Sequence, residues 1–474
     1  MNSFKMYSDD QIQKVHESSL EILATTGLLI EHQGALEKLG DAGAEVDMNS
    51  QRVYFPKELV EKCLKLAPAS WICAGRDESF DFAMGLDTPL TGRTSGGPIK
   101  RYRPETGQIA MVTDADCAEY AKVTDALVNL NTVGTLSPSD LPLATYDLHT
   151  LRTFLKNTRK HLYCLTIDSK NLAYEMEMMV AVAGSEAELR KRPLASGLVC
   201  VIEPLYFPHD EIERLMIYGK YNMPIRVPLM PVSGANAPYT FAGILNLMNA
   251  EFLGSQVLLQ TLCPGLPNWY YTSPQTMDMR TGRTYCINPD AYPVQAAFKQ
   301  LGDLYGVPVS QTLAVTAATQ YPQYIFDRAA GLMWAAALGV QEIGAFGAVD
   351  SFNTINPLTL VLDNEMLAYA RFASTGIDIN DETLAADAID RVGPRGHFMA
   401  DKHTMEFLRR EDKFQTDIFD WRGFDAWSSD YKDIIDHAQA KLDHILKHHE
   451  VPPLDDAVLK ELDIIVAAAD KELL

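Results

Sequence analysis

Seven cysteines in 474 residues, none closer than ten positions to the next and none in a CxxC pair, are too few and too scattered for a disulfide framework or a thiolate zinc site of common spacing. Positive charge is also scarce: 41 Lys and Arg stand against 63 Asp and Glu, a net charge of −22. That balance repels phosphate backbones and anionic lipid, and no local basic patch offsets it, so nucleic acid and membrane surfaces are excluded as partners and small cations are favoured. No stretch reaches the roughly 18 uncharged apolar residues of a membrane span. The opening MNSFKMYSDDQIQKVHESSLEILATTG carries charges throughout, without the apolar centre of a secretory leader, and a reducing cytoplasmic setting is expected.

Several catalytic signatures are missing as well. No GxGxxG follows the first strand candidate, which argues against a dinucleotide fold, and no GxSxG elbow offers a serine nucleophile. Thr94-Ser95-Gly96-Gly97, with Lys100, Arg101 and Arg103 behind it, lacks the spacing of a phosphate loop. His16, His32, His437, His444, His448 and His449 fall in terminal helical stretches, and His397 and His403 are six residues apart, so no metal site is expected. Cys164 and Cys263 sit in apolar contexts that suit inert thiols.

What is present is a large apolar inventory, 47% of the chain, arranged in repeating units. Residues 9–39 have helical periodicity with a stop at Gly27, residues 52–55 read as a short strand, and 57–66 as a helix. A Gly-rich run, 85–107, closes this accessory module. Beyond it, strand candidates at 131–136, 161–166, 197–202, 225–230, 268–271, 308–312 and 342–346 alternate with helices at 147–156, 171–183, 209–221, 242–262, 293–305, 324–338 and 357–373. Seven clean repeats favour an α/β (β/α)8 TIM-type barrel over an open sheet, with the missing strand supplied by 93–99 or 375–379. The expected organisation is an N-terminal helical module with the Gly-rich loop (1–110), the barrel (111–388) and a helical, charged C-terminal extension (389–474).

Working residues of such a barrel stand at the C-terminal ends of its strands. There the chain offers Ser137, Thr166, Asp168, Glu203, Tyr206, Pro231, Ser233, Trp269, Tyr270, Tyr271, Thr312, Phe346 and Asp350: aromatic rings, a few carboxylates and little that binds metal. Rings with a nearby anion suit a quaternary ammonium ion, each ring contributing about 0.5–2 kcal/mol. Trp269, Tyr270 and Tyr271 are consecutive, so they alternate between the faces of a strand and at least one of them packs in the core.

Several stretches, in order from residue 18 to 410, carry a family resemblance. They include ESSLEILATTGLLIE, LGDAGAEVD, GRTSGGPIKRYRPETGQ, LRKRPLASGLVCVIEPL, MPVSGANAPYTFAGILNLMNAEFLGSQVLLQTLCPGLP, TMDMRTGRTYCINPD, LVLDNEMLAYARF and GHFMADKHTMEFLR. Together they resemble the trimethylamine methyltransferase superfamily, in its non-pyrrolysine branch of quaternary-amine, betaine-type corrinoid methyltransferases. The resemblance implies a barrel that passes a methyl group from a methylated amine to the cobalt of a corrinoid carried by a separate small protein. On that view the chain binds no cofactor directly: the cobalamin belongs to the partner.

The founding trimethylamine enzymes carry pyrrolysine in the region matching 311–316, where this chain has only ordinary residues. A quaternary nitrogen already bears a full charge and leaves as a neutral amine, so positioning and desolvation suffice against a strong cobalt nucleophile. The resemblance places Tyr102 beside the substrate pocket. Glu203, Phe346, Asp350, Phe352, Trp269 and Tyr271 complete the expected binding set, with no catalytic residue assigned. Glycine betaine, proline betaine and carnitine are the expected substrate types, and a homo-oligomer is expected. A methyltransferase for a non-quaternary methylated amine, and a quaternary-amine binder without turnover, are the competing readings.

Overall fold

The computed structural model describes residues 4–104, 106–286, 289–410 and 413–474. Eight parallel strands close into a barrel: β1 (Thr91–Thr94), β2 (Leu130–Gly134), β3 (His161–Tyr163), β4 (Ala195–Leu198), β5 (Ile225–Leu229), β6 (Asn268–Thr272), β7 (Val309–Thr312) and β8 (Glu342–Phe346). β8 closes the ring by pairing Glu342 with Thr91 and Phe346 with Thr94. A helix follows each strand: α1 (Asp114–Ala126), α2 (Tyr146–Asn157), α3 (Ser169–Ala183), α4 (His209–Lys220), α5 (Phe241–Leu262), α6 (Ala291–Tyr305), α7 (Pro322–Leu338) and α8 (Pro357–Thr375). Seven of these units follow the alternation in the sequence closely. The remaining strand is β1, so the barrel starts at Thr91, inside the stretch assigned above to the N-terminal module. Residues 375–379 form no strand.

Local chemistry explains the helix starts. Pro322 and Pro357 open α7 and α8, where a missing N–H costs nothing. Asp168 accepts from the backbone N–H of Lys170 and Asn171, which makes it the N-cap of α3 and removes it from the functional candidates. α5 is apolar almost all round, with Leu245, Met248, Phe252 and Leu258 buried among its residues. It is apolar on both sides because it is sandwiched: the barrel lies on one side, and the N-terminal helix Asp9–Thr25 and the helix Lys57–Leu64 pack on the other.

Two appendages flank the barrel. The N-terminal module extends a small sheet in which Leu28–Ile30 pairs in parallel with Tyr206–Phe207 from the loop after β4. At the other end of the chain, Ile434–His448 packs on α8 and α1, and Asp456–Leu473 packs on α3. No helix among the described residues is long and apolar enough to cross a membrane.

Candidate active site at the barrel mouth

Alternation along the strands divides each into lumen-facing and helix-facing residues. Tyr270 faces out and stacks on Phe252 of α5 at 3.9 Å. Its neighbours Trp269 and Tyr271 face in, as consecutive residues of a strand must.

The lower lumen is charged. Glu342 accepts from Arg93 Nε at 3.2 Å, from Arg226 Nε at 3.1 Å and Nη2 at 2.6 Å, and from Ser310 Oγ at 2.6 Å, while Arg226 also donates to Ser196 Oγ. Burial alone would push the Glu342 carboxyl up, but the two guanidinium groups outweigh it and hold the acid at about 2. Aromatic faces sheathe the cations: the Arg226 guanidinium lies 3.7 Å from the Trp269 ring centroid, and that of Arg93 lies 4.3 Å from Tyr163 and 5.1 Å from Tyr271. Gly344 faces Arg93 so closely that a side chain there would collide with Nη2.

The lower end of the barrel is closed by a hairpin, Ser70–Cys73 paired with Phe82–Gly85. Its Trp71 meets Trp269 edge-on at 4.8 Å. Trp269 is therefore a floor residue, remote from the strand ends where the sequence reading placed it.

Above the charged layer, Tyr271 accepts from Thr312 Oγ1 at 2.9 Å. The ladders run on past the strand ends: Ser95 N–H donates to Phe346 O, Ser273 N–H to Leu229 O and Leu313 N–H to Gly344 O. Continued alternation brings Ser95, Ser273 and Ala314 to the lumen side. Ala314 joins Ala345, Cys286 and Phe352 in a small apolar cluster at the top. Gly96 is required beside it on the β1 side, because a β-carbon there would meet Tyr163 at 2.9 Å and Leu165 at 2.6 Å.

The loops after β1 and β8 are knitted into one sheet in which Thr354–Ile355 pairs with Lys100–Arg103. Within it, Asp350, Ser351 and Phe352 hold successive left-handed conformations, with φ of 52°, 51° and 75°. Such a run in residues other than glycine is strained and marks a conformation fixed by its surroundings. The loop after β7 fixes it, since Asp350 N–H donates to Ala317 O at 2.8 Å and Ser351 N–H to Val315 O at 2.9 Å.

A model of the family described as trimethylamine methyltransferase (MTTB) matches residues 1–473. The chain belongs to the trimethylamine methyltransferase family. It is 28% identical over 474 residues to the trimethylamine methyltransferase MttB of Methanosarcina barkeri, covering 98% of this chain and 95% of that protein. It is 27% identical over 479 residues to the glycine betaine methyltransferase of Desulfitobacterium hafniense, covering 99% and 98%. Among solved structures, the monomethylamine methyltransferase MtmB of Methanosarcina barkeri shares the fold, with a TM-score of 0.59 at 12% identity over 99% of this chain and 88% of that one.

Within this methyltransferase the expected binding residues scatter. Tyr271 lines the lumen and Phe352 the mouth. Phe346 does neither: its ring packs outward beside Leu130 and Leu367, over Gly92, with the Arg328 guanidinium 5.1 Å away. An irregularity in β8 between Ile343 and Phe346, with Ala345 at φ 73°, turns it toward the helices. Asp350 pairs with Arg283 at 3.3 Å. Glu203, half-buried at the exit of β4, accepts the N–H of Met230 at 2.6 Å, and burial raises its carboxyl. Tyr102 is buried on the face of its strand opposite Arg101 and Arg103, which both reach Asp116.

The sequence reading missed Arg93, Arg226 and Glu342. Their signal was a lone charge within each of three short strands, TGRT, IRVPL and EIGAF. It also passed over a cluster of His32, His209 and Glu213 beside the N-terminal sheet. His32 Nδ1 accepts from Ala35 N–H, which leaves the ring proton on Nε2, aimed at Glu213 at 2.9 Å. That arrangement is a latch between module and barrel, with the Nε2 lone pair unavailable to a metal.

Proposed function

We propose that this methyltransferase removes a methyl group from a quaternary amine of the betaine type and passes it to Co(I) of a corrinoid held by a separate protein. One observation carries the reading. In the segment where the founding enzymes of the resemblance hold pyrrolysine, this chain presents Ala314, a bare methyl in an apolar cluster with Phe352, Cys286 and Ala345. Nothing there activates an uncharged amine covalently. A quaternary nitrogen needs no such help, because it leaves as a neutral tertiary amine. The similarity to a protein named glycine betaine methyltransferase points the same way.

The chain's own contribution is then positioning and exclusion of water. Tyr271 in the lumen and Phe352 with the small residues packed against it at the loop end of the barrel are the groups that position the substrate on this reading. The loops there expose apolar side chains around the mouth, including Ile99, Ile109, Ile202, Tyr239, Met279 and Tyr321. A rim of this kind fits the docking of a protein that delivers the acceptor. The corrinoid would supply the nucleophile; none of the residues described need hold it.

The test is direct. The protein is mixed with a reduced corrinoid protein and, in turn, glycine betaine, proline betaine, carnitine and γ-butyrobetaine, and formation of methyl-cobalt is followed by absorbance. Turnover of at least one is expected, and inactivity on all four overturns the proposal.

A further inference from the structure

We propose that residues 377–410 form an arm that packs on a second copy of this chain, against the outer side of that copy's α7 and α8. The inference gives the homo-oligomer expected from the sequence a place in the fold, and it does not depend on the identity of the substrate.

Beyond α8 the chain runs from Gly376 to Asp433 as short helices with almost no interior. Among the described residues of that stretch only Ala388 and Ile418 are buried. Ile377 is 85% exposed, Met399 81% and Leu408 70%, and Ile379, Ile389 and Met405 are open with them. Together these six side chains present about 800 Å² to water, the area that each partner buries in a standard interface and more than a monomer ordinarily leaves in one patch. The polar groups, by contrast, are satisfied within the arm. Arg391 forks Asp401 at 3.0 and 2.8 Å, which ties the helix Ala386–Val392 to the start of Lys402–Arg409, and Arg410 reaches back to Glu382 at 2.6 Å. Met405 and Leu408, three residues apart, share one side of their helix and are both open. A surface built for water has the opposite character, with its charges outward and its apolar groups turned in.

Position identifies the occupant. The arm springs from the lower end of α8, where Arg371 donates to Leu90 O and Asn129 O just ahead of β1 and β2. The chain returns to the same place, with the Phe414 ring 5.5 Å from Tyr369 and 5.7 Å from Phe372. A protein that serves the mouth meets the other end of the barrel, so this arm is not its seat. A second copy supplies the missing cover. Tyr369 and Phe372 on α8 and Met333 on the adjacent α7 are themselves exposed near the lower ends of their helices. One chain thus carries both halves of a self-complementary contact, an apolar arm and a bare apolar helix face, as a two-fold axis requires.

Sedimentation velocity of the full chain at micromolar concentration is expected to show pairs of the 52.7 kDa chain or multiples of them. Leu408→Glu on the arm and Met333→Glu on the receiving face should each weaken the pair at least about thirtyfold, the effect of losing a central interface residue, because symmetry applies each change twice. Leu143→Glu, which alters an exposed leucine outside both surfaces, should leave the pair intact. Circular dichroism checks that the variants fold, and Met405→Glu repeats the arm test if Leu408→Glu does not. A monomeric parent, or a pair untouched by the arm substitutions, overturns the proposal. A pair broken by Leu408→Glu but not by Met333→Glu overturns the assigned face. Capture of a corrinoid protein by a monomeric parent, abolished by Leu408→Glu, would make that protein the occupant and also overturns it.

Discussion

Glu342 bonds Arg93 and Arg226 at once, at 3.2 and 2.6 Å, deep in the barrel and across 249 and 116 positions of sequence. Each of its oxygens is taken, so β1, β5 and β8 are tied through a single acid. A barrel core of this kind trades apolar packing for a charged network, and its stability depends on every member being satisfied.

Glu342→Gln should lower the unfolding free energy by about 3–5 kcal/mol, because two buried guanidinium groups lose their counter-charge. The wild-type pair also sets an acid limit. The folded carboxyl is held at about 2, below the ordinary value of 4.5, so its contribution is complete above pH 4.5 and fades as pH falls toward 2. Urea titrations between pH 2 and 6 should show that loss in the parent and a flatter profile in the variant.

Glu251 behaves in the opposite sense. It is buried on α5, takes one N–H from Leu205 at 3.0 Å, leaves its second oxygen unpartnered, and is pushed up to about 8 by burial with Glu203 adding to it. The folded protein therefore holds it protonated at neutral pH, whereas the unfolded chain ionises it above 4.5. Its contribution is full below 4.5 and is lost as pH rises to 8. Glu251→Gln keeps the acceptor for Leu205 and removes the titration, so it should stabilise the protein at pH 8 by about 1–3 kcal/mol. At pH 4.5 it should change little. Thermal unfolding at the two pH values checks both.

The pattern of these residues explains what the sequence could reveal. Seven strands announced themselves through Val, Ile, Leu and aromatic runs, because their outward faces pack on helices. β1 did not: Thr91-Gly92-Arg93-Thr94 has almost no apolar side chain, since its outward Gly92 is filled by Phe346, Leu130 and Leu367 from neighbours, and its inward Arg93 is matched by an acid far along the chain. Alternation correctly put Trp269 and Tyr271 on one face. It carried no information on depth, which the Trp71 hairpin decides. Phe346 was misplaced for a related reason: a local irregularity in β8 shifts which side its end presents, and irregularities leave no mark in a five-residue run.

Trp71→Ala tests the closure of the lower end. The ring sits edge-on to Trp269 and shares a cluster with Cys73, Met84 and Tyr163. Its removal should cost about 3–5 kcal/mol in denaturant unfolding. The mouth lies at the opposite end, so ligand affinity per folded molecule should remain close to that of the parent.

The strained turn at the mouth gives the sharpest contrast between stability and function. Asp350, Ser351 and Phe352 occupy left-handed backbone that glycine adopts without penalty, and each non-glycine residue there costs about 1 kcal/mol or more. Ser351→Gly retains the backbone bond to Val315 and should raise stability by about 1 kcal/mol. It should also loosen the placement of Phe352 against Ala314 and Cys286, and so slow methyl transfer several-fold at saturating substrate. Phe352→Ala, which deletes the ring and keeps the strain, should slow transfer about tenfold with no gain in stability. A Ser351→Gly protein that is both more stable and fully active would show that the strain serves the loop connection alone, because a site that depends on a fixed ring cannot gain freedom at its hinge without losing rate.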